Sequence, residues 1–223
     1  DIDNEDLLPQ ENILVVLTKK GYVKRMSDDT FRTQNRGGRG VKGITTTSGD
    51  IVQLMLHTKT HTDIMFFSSL GFVYRLRGYM IPDGERNSKG IPAVNLLNLA
   101  QDEKIVAIVP CDDYPESDYL FFATVNGVVK RTKLIEFASI HSNGKRAITL
   151  KEGDELLNVK KTHGNDLISL ASSNGKVCSF YEEDVRAMGR SAAGVTGMDL
   201  KDGSHLVDIT GSMDGTLALA ITS

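Results

Sequence analysis

The chain has 223 residues, 40% of them hydrophobic and 25% charged, with a formal net charge of −3. This is the composition of a soluble globular chain long enough to bury a real core. No apolar run approaches the roughly 18 residues of a membrane span, and the acidic start, Asp1-Ile2-Asp3-Asn4-Glu5-Asp6, excludes a signal peptide.

Residues 1–10 are expected to form a mobile linker. The missing initiator Met points to a piece of a longer chain. Four repeats follow, at approximately 12–60, 61–116, 117–163 and 164–212, with a partial fifth at 213–223. Each opens with an apolar run, a polar turn and a second short strand. The turn glycines are Gly21, Gly71, Gly127 and Gly175, spaced by 50, 56 and 48 positions. Val23, Val73, Val129 and Val177 stand two positions after them, and Phe31, Ile81, Phe137 and Val185 ten positions after. Asn126-Gly127 and Asn174-Gly175 predict tight hairpins in which both central residues take positive φ.

A second element begins in each repeat at Gly40, Gly90, Gly144 and Gly194. A third is a turn, acidic in the first three repeats, that enters a strand at Ile51-Val52, Ile105-Val106, Leu156-Leu157 and Leu206-Val207. Residues 214–223 match the first strand of a new unit. Either the repeat stops there, or that strand completes the fourth blade. Four short strands per repeat of about 50 residues is the pattern of blades in a radial array. The expected fold is therefore all-β: a propeller-like array of about four four-stranded blades with the start of a fifth repeat. Only 133–139 and 182–188 suit a helical turn.

Charge is patterned by repeat. Between turn and second glycine element, the first repeat carries eight bases against two acids, the second four against two and the third five against one. The fourth is balanced, three against three. A positive zone that recurs at one place in successive blades forms an arc, which suits a bent phosphate backbone. Arg25, Arg75 and Arg131 share one position. They either contact phosphate or pair with an acid of the next blade.

The most specific segment is Gln34-Asn35-Arg36-Gly37-Gly38-Arg39-Gly40, found in the first repeat alone. It resembles the GyrA box, Q-(R/K)-R-G-G-(R/K)-G, of the C-terminal domains of DNA gyrase A subunits. Six of the seven positions match, and Asn35 replaces a base, which should weaken the contact without abolishing it. The repeat pattern from Asn12 to Ser223 is similar to the same family. Glycines let the backbone approach phosphate, and arginine forks fit its oxygens.

The resemblance implies a non-catalytic β-pinwheel, with strands exchanged between neighbouring blades and duplex DNA wrapped on the rim irrespective of sequence. It implies partners as well: the gyrase A cleavage domain and the B subunit, in an A2B2 enzyme that introduces negative supercoils in the bacterial cytoplasm, associated with the nucleoid. It implies no cofactor in this domain, ATP and Mg serving other parts of the enzyme. The expected DNA-binding residues are Gln34, Arg36, Gly37, Gly38, Arg39, Gly40 and Lys42, with Arg32, Lys24, Arg77, Lys89, Lys130, Lys133, Lys145 and Arg146.

Other readings fare worse. Gly38 to Gly43 fits G-x-G-x-x-G, but β-branched Ile44-Thr45-Thr46-Thr47 follows where a dinucleotide site needs a helix. Cys111 and Cys178 lack partners at metal-ligand spacing and read as reduced thiols. No nucleophile–base set is visible. The rivals are the equivalent domain of topoisomerase IV, which typically lacks an intact box, and a protein-interaction propeller scaffold.

Overall fold

The computed structural model describes residues 4–28, 49–141, 143–201 and 203–212. The first repeat contributes β1 (Asn12–Thr18), β2 (Tyr22–Ser27) and β3 (Val52–Lys59). The second contributes β4 (Asp63–Ser68), β5 (Phe72–Arg77), the short β6 (Ile91–Pro92), helix α1 (Ala93–Leu97) and β7 (Ile105–Cys111). The third contributes β8 (Tyr119–Thr124), β9 (Val128–Lys133), β10 (Lys145–Arg146) and β11 (Leu156–Thr162). From the fourth come β12 (Leu167–Ser172), β13 (Val177–Tyr181), β14 (Val195–Thr196) and β15 (Leu206–Gly211).

Four antiparallel sheets result, with strand orders β3-β1-β2-β6, β7-β4-β5-β10, β11-β8-β9-β14 and β15-β12-β13. The order shows a strand exchange. In the second, third and fourth repeats a two-residue strand leaves its own hairpin and pairs with the preceding one: Ile91 opposite Val23, Lys145 opposite Val73, Val195 opposite Val129. β3, β7, β11 and β15 pack one against the next and form the inner side of the array. β6, β10 and β14 lie at the opposite edge of the first, second and third sheets and form the rim there.

The core sits between blades, which explains the unbroken apolar runs. Phe66 faces Val15, Leu17 and Ile81, between the first and second sheets, while its neighbour Phe67 faces Phe122 and Phe137, between the second and third. Phe121 and Phe122 divide in the same way. Successive strand residues point to opposite faces, and both faces are covered, so both positions must be apolar. Ring centroids of Phe67, Phe122 and Phe137 lie 5.6–6.2 Å apart, within favourable aromatic range.

The hairpin turns differ from the expected form. Among the described residues the only non-glycine with positive φ is Asn98, so Asn126 and Asn174 do not take it. The first three turns are three-residue loops, and the fourth, between β12 and β13, has four residues. Gly127, at φ +88°, closes the third by donating to the Thr124 carbonyl at 3.1 Å, and on the other side of β8 the pairing with β11 shifts register between Leu156 and Asn158. The hydroxyl three positions before each turn glycine locks the loop. Thr18, Ser68, Thr124 and Ser172 accept the backbone N–H of Tyr22, Phe72, Val128 and Lys176 at 3.1–3.2 Å.

Short 3-10 turns at Leu134–Phe137 and Glu182–Asp184 fall where helical turns were expected. Helix α1 was not expected. It occupies the second repeat, whose interval is longer, and Asn98 ends it in the left-handed conformation. In the N-terminal segment, described residues 4–11 contact the end of the first repeat and the second blade. Thr60 donates to the Pro9 carbonyl at 3.0 Å and accepts the Glu11 N–H at 3.0 Å, and Glu5 pairs with Arg77. No described helix is long and apolar enough to cross a membrane.

Candidate nucleic-acid interface

The 34–40 segment, Arg32 and Lys42 lie outside the described residues. The remaining expected contacts separate into three groups.

Lys89, Lys133, Lys145 and Arg146 are exposed. Lys145 and Arg146 form the rim strand β10, and Lys89 stands two residues before rim strand β6. The Lys89 ammonium lies 4.2 Å from the Tyr22 ring centroid, and the Arg146 guanidinium 4.9 Å from that of Phe72. Each ring belongs to the residue after the turn glycine of the preceding repeat. The rim of successive blades therefore carries cations seated on aromatic faces, which holds them in place while leaving donors open to solvent. Two cations that sequence reasoning missed belong with them. Arg86 is exposed, and Arg190 donates to the Arg146 carbonyl at 2.6 Å. Both stand four positions before the second-element glycine of their repeat, which is the signal that could have found them.

Arg77, at the end of β5, is partly buried and already paired. It donates to Asp63 at 3.1 Å and to Glu5. Burial works against its charge, but these two carboxylates outweigh it and raise its pKa.

Lys24 and Lys130 are corrections. They are only 5% and 0% exposed and cannot meet DNA. Lying three residues after a turn glycine, they point across the blade boundary. Lys24 donates to the carbonyls of Glu85, Arg86 and Ser88 at 2.8, 2.9 and 2.8 Å. Lys130 donates to those of Ala147, Arg190 and Gly189, the last at 3.4 Å, and sits 4.6 Å from the Phe122 ring centroid. Burial lowers both ammonium pKa values, that of Lys130 to about 7. A buried charge persists only with partners, and three carbonyls supply them.

For Arg25, Arg75 and Arg131 the structure chooses the structural alternative, chiefly through carbonyls rather than acids. Arg25 donates to Ile81 at 2.7 Å, Arg75 to Ala138 at 2.6 Å and Arg131 to Val185 at 2.9 Å. Each carbonyl belongs to the next repeat, ten or eleven positions after its turn glycine. Among the described residues, no three His, Cys, Asp or Glu side chains converge as a metal site.

These features, four sheets exchanging rim strands and joined by buried cations, agree with comparison to known proteins. The family model described as "DNA gyrase C-terminal domain, beta-propeller" matches residues 12–58, 62–112, 118–163 and 166–210, one segment for each sheet. The chain belongs to this family. The DNA gyrase A subunit of Ureaplasma parvum serovar 3 is 49% identical over 222 residues, covering 100% of this chain and 26% of that protein. The DNA gyrase A subunit of Mycoplasma pneumoniae is 46% identical over 221 residues, covering 99% and 26%. The chain thus spans about a quarter of the length of these curated relatives.

Two solved structures share the fold. The crystal structure of the C-terminal domain of DNA topoisomerase IV superposes with a TM-score of 0.74 at 31% identity, covering 92% of this chain and 62% of that one. The structure of a DNA gyrase A C-terminal domain superposes with a TM-score of 0.70 at 29% identity, covering 90% and 65%.

Proposed function

We propose that this chain is the DNA-wrapping C-terminal domain of a gyrase A protein, binding duplex DNA along its rim through the phosphate backbone. The carrying observation is the recurrence of exposed cations at the exchanged-strand edge of successive blades, Lys89 on Tyr22 and Arg146 on Phe72. Such cations neutralise phosphates and release counterions. Lys133 and Lys145 extend the surface, and the 34–40 segment, with Arg32 and Lys42, adds its densest charge. Arg77 joins the contact when its carboxylates give way.

The described cations sit at a strand edge and face solvent as phosphate partners, so affinity follows charge and DNA deformability rather than sequence. In the whole enzyme the wrap presents a crossing segment to the cleavage domain. Together with the ATP-driven B subunit, in an A2B2 assembly on DNA in the bacterial cytoplasm, it biases strand passage toward negative supercoils. The chain itself supplies binding and shape rather than chemistry.

The test is affinity for a short duplex and for one of about 100 base pairs, shorter than the DNA persistence length, across a salt series. Tighter binding to the longer duplex, with a steep fall in salt, is expected. The R36A/R39A pair should flatten the logarithmic slope by about two contacts. Weak binding that ignores duplex length and both arginines would overturn the reading in favour of a protein-binding scaffold.

A further inference from the structure

The two cations of the 34–40 segment stand at defined places: Arg36 four positions before Gly40, and Arg39 one before. The second repeat copies both, with Arg86 four positions before Gly90 and Lys89 one before. The fourth repeat keeps Arg190 but has Ala193 in the other place, and the third has Ile140 and Asn143. Among the later repeats, only the second carries the pair.

The structure shows how that loop is shaped. Lys24, reaching from the preceding blade, holds the carbonyls of Glu85, Arg86 and Ser88 on one ammonium. A peptide unit is planar and trans, so a carbonyl turned inward turns the N–H of the following residue outward. The amides of Arg86 and Lys89 therefore face away from Lys24. The loop is braced further. Ser88 N–H and its hydroxyl both donate to the Glu85 carbonyl, at 3.0 and 2.8 Å, and Gly84 N–H donates to the Arg25 carbonyl at 2.9 Å. Lys89 is seated on Tyr22, and Arg86 is exposed. Outward amides with flanking cations on a braced loop offer donors and positive charge to a phosphate oxygen. Glu85 and Asp83 offset part of the charge. Residues 85–90 hold two bases against one acid, and Lys24 beneath adds a third positive charge.

We propose that the 85–90 loop is a second phosphate-binding element for the duplex backbone, contacted through Arg86 and Lys89, with Lys24 as its positioning residue. It rests on the DNA-binding reading above and adds a named site to it. It makes the buried lysine part of the interface without direct contact, because its three hydrogen bonds set where the loop amides point.

The experiment uses the full chain and a duplex of about 100 base pairs, with the salt dependence of binding as readout. R86A/K89A should lower the logarithmic salt slope by about two and weaken binding by about 10- to 100-fold near 0.1 M salt, with melting unchanged. K24M should lose slope although Lys24 is buried, K24R should recover part of it, and K24M should cost nothing more in the R86A/K89A background. A wild-type slope in R86A/K89A, alongside a reduced slope in R36A/R39A, overturns the second site while leaving the DNA-binding reading intact. A wild-type chain with no salt-dependent binding overturns both. If K24M does not fold, R86A/K89A still decides the site.

Discussion

Arg131 Nε donates to the Val185 carbonyl at 2.9 Å across the boundary between the third and fourth sheets. The same guanidinium lies 3.7 Å from the fully buried Glu182, and 4.3 Å from the Tyr119 ring centroid. Glu182 in turn accepts the Gly164 and Asp166 N–H groups at 2.6 and 2.9 Å and the Thr162 hydroxyl at 2.7 Å. One arginine thus joins two blades and balances a charge that has no access to water.

Replacing Arg131 by Met leaves Glu182 buried without its counter-charge, which costs about 3–5 kcal/mol. A urea titration should show the midpoint fall, and Arg131→Lys should recover little, because an ammonium cannot replace the planar fork. The salt slope for DNA should stay as in the wild type wherever the variant is folded. A reduced slope would return Arg131 to the phosphate contacts.

Gly194 takes φ +87°, and a Cβ there would stand 2.4 Å from the Val129 carbonyl oxygen, against which its strand is laid. Gly21 has the same φ, but nothing lies within 4 Å of its Cβ position. Gly21→Ala should cost only the left-handed strain, about 1–2 kcal/mol. Gly194→Ala adds a backbone clash that the exchanged strand β14 can relieve only by moving away. It should cost clearly more, and amide exchange at Val129 and Val195 should quicken. Equal losses for the two variants would argue against the close approach.

Much of this architecture is legible in the sequence, for a physical reason. A repeat forces each feature to recur, so the turn glycines mark the hairpins, and Val23, Val73 and Val129 with Ile81, Phe137 and Val185 mark the buried core, although Val177, at the same repeat position, is exposed. The strand exchange is not legible from spacing, because a two-residue strand such as Ile91–Pro92 has no periodicity to show which hairpin it joins. Charge misled at Lys24 and Lys130. A lysine beside a turn glycine looks the same in sequence whether its ammonium meets water or three carbonyls of the next blade. Counting from the second glycine rather than the first would have found Arg86 and Arg190.

Lys130 makes stability depend on pH. In an unfolded chain a lysine releases its proton near about 10.4; in the folded protein burial pushes Lys130 down to about 7. Glu136 acts to raise that value, Arg190 to lower it. Well below pH 7 both states hold the proton. Between the two values only the unfolded chain does, so the stability contributed by this residue rises with pH across that window. Urea titrations at pH 6.5, 8 and 9.5 should show the wild type gaining on Lys130→Met as pH rises. A constant difference between the two proteins would mean that the carbonyl cage fully offsets the burial of the charge.

Glu5 decides how much of Arg77 is open to DNA. It belongs to the segment preceding β1, reaches across to the second blade and shares Arg77 with Asp63. An arriving phosphate must compete with both carboxylates for the same donors. Glu5→Gln keeps the shape and a weaker hydrogen bond but removes one charge. It should tighten DNA binding by about two- to fivefold at low salt, on the scale of one partly exposed ion pair, and leave stability within about 1 kcal/mol. The gain should fade as salt rises, because screening weakens the Glu5–Arg77 pair and the phosphate contact alike. The Arg77→Ala background distinguishes a local effect from a general one. There Glu5→Gln should change affinity little, since the donor it competes for is gone. Equal gains in both backgrounds would mean that Glu5 repels DNA by its charge alone and that its pairing with Arg77 has no bearing on binding.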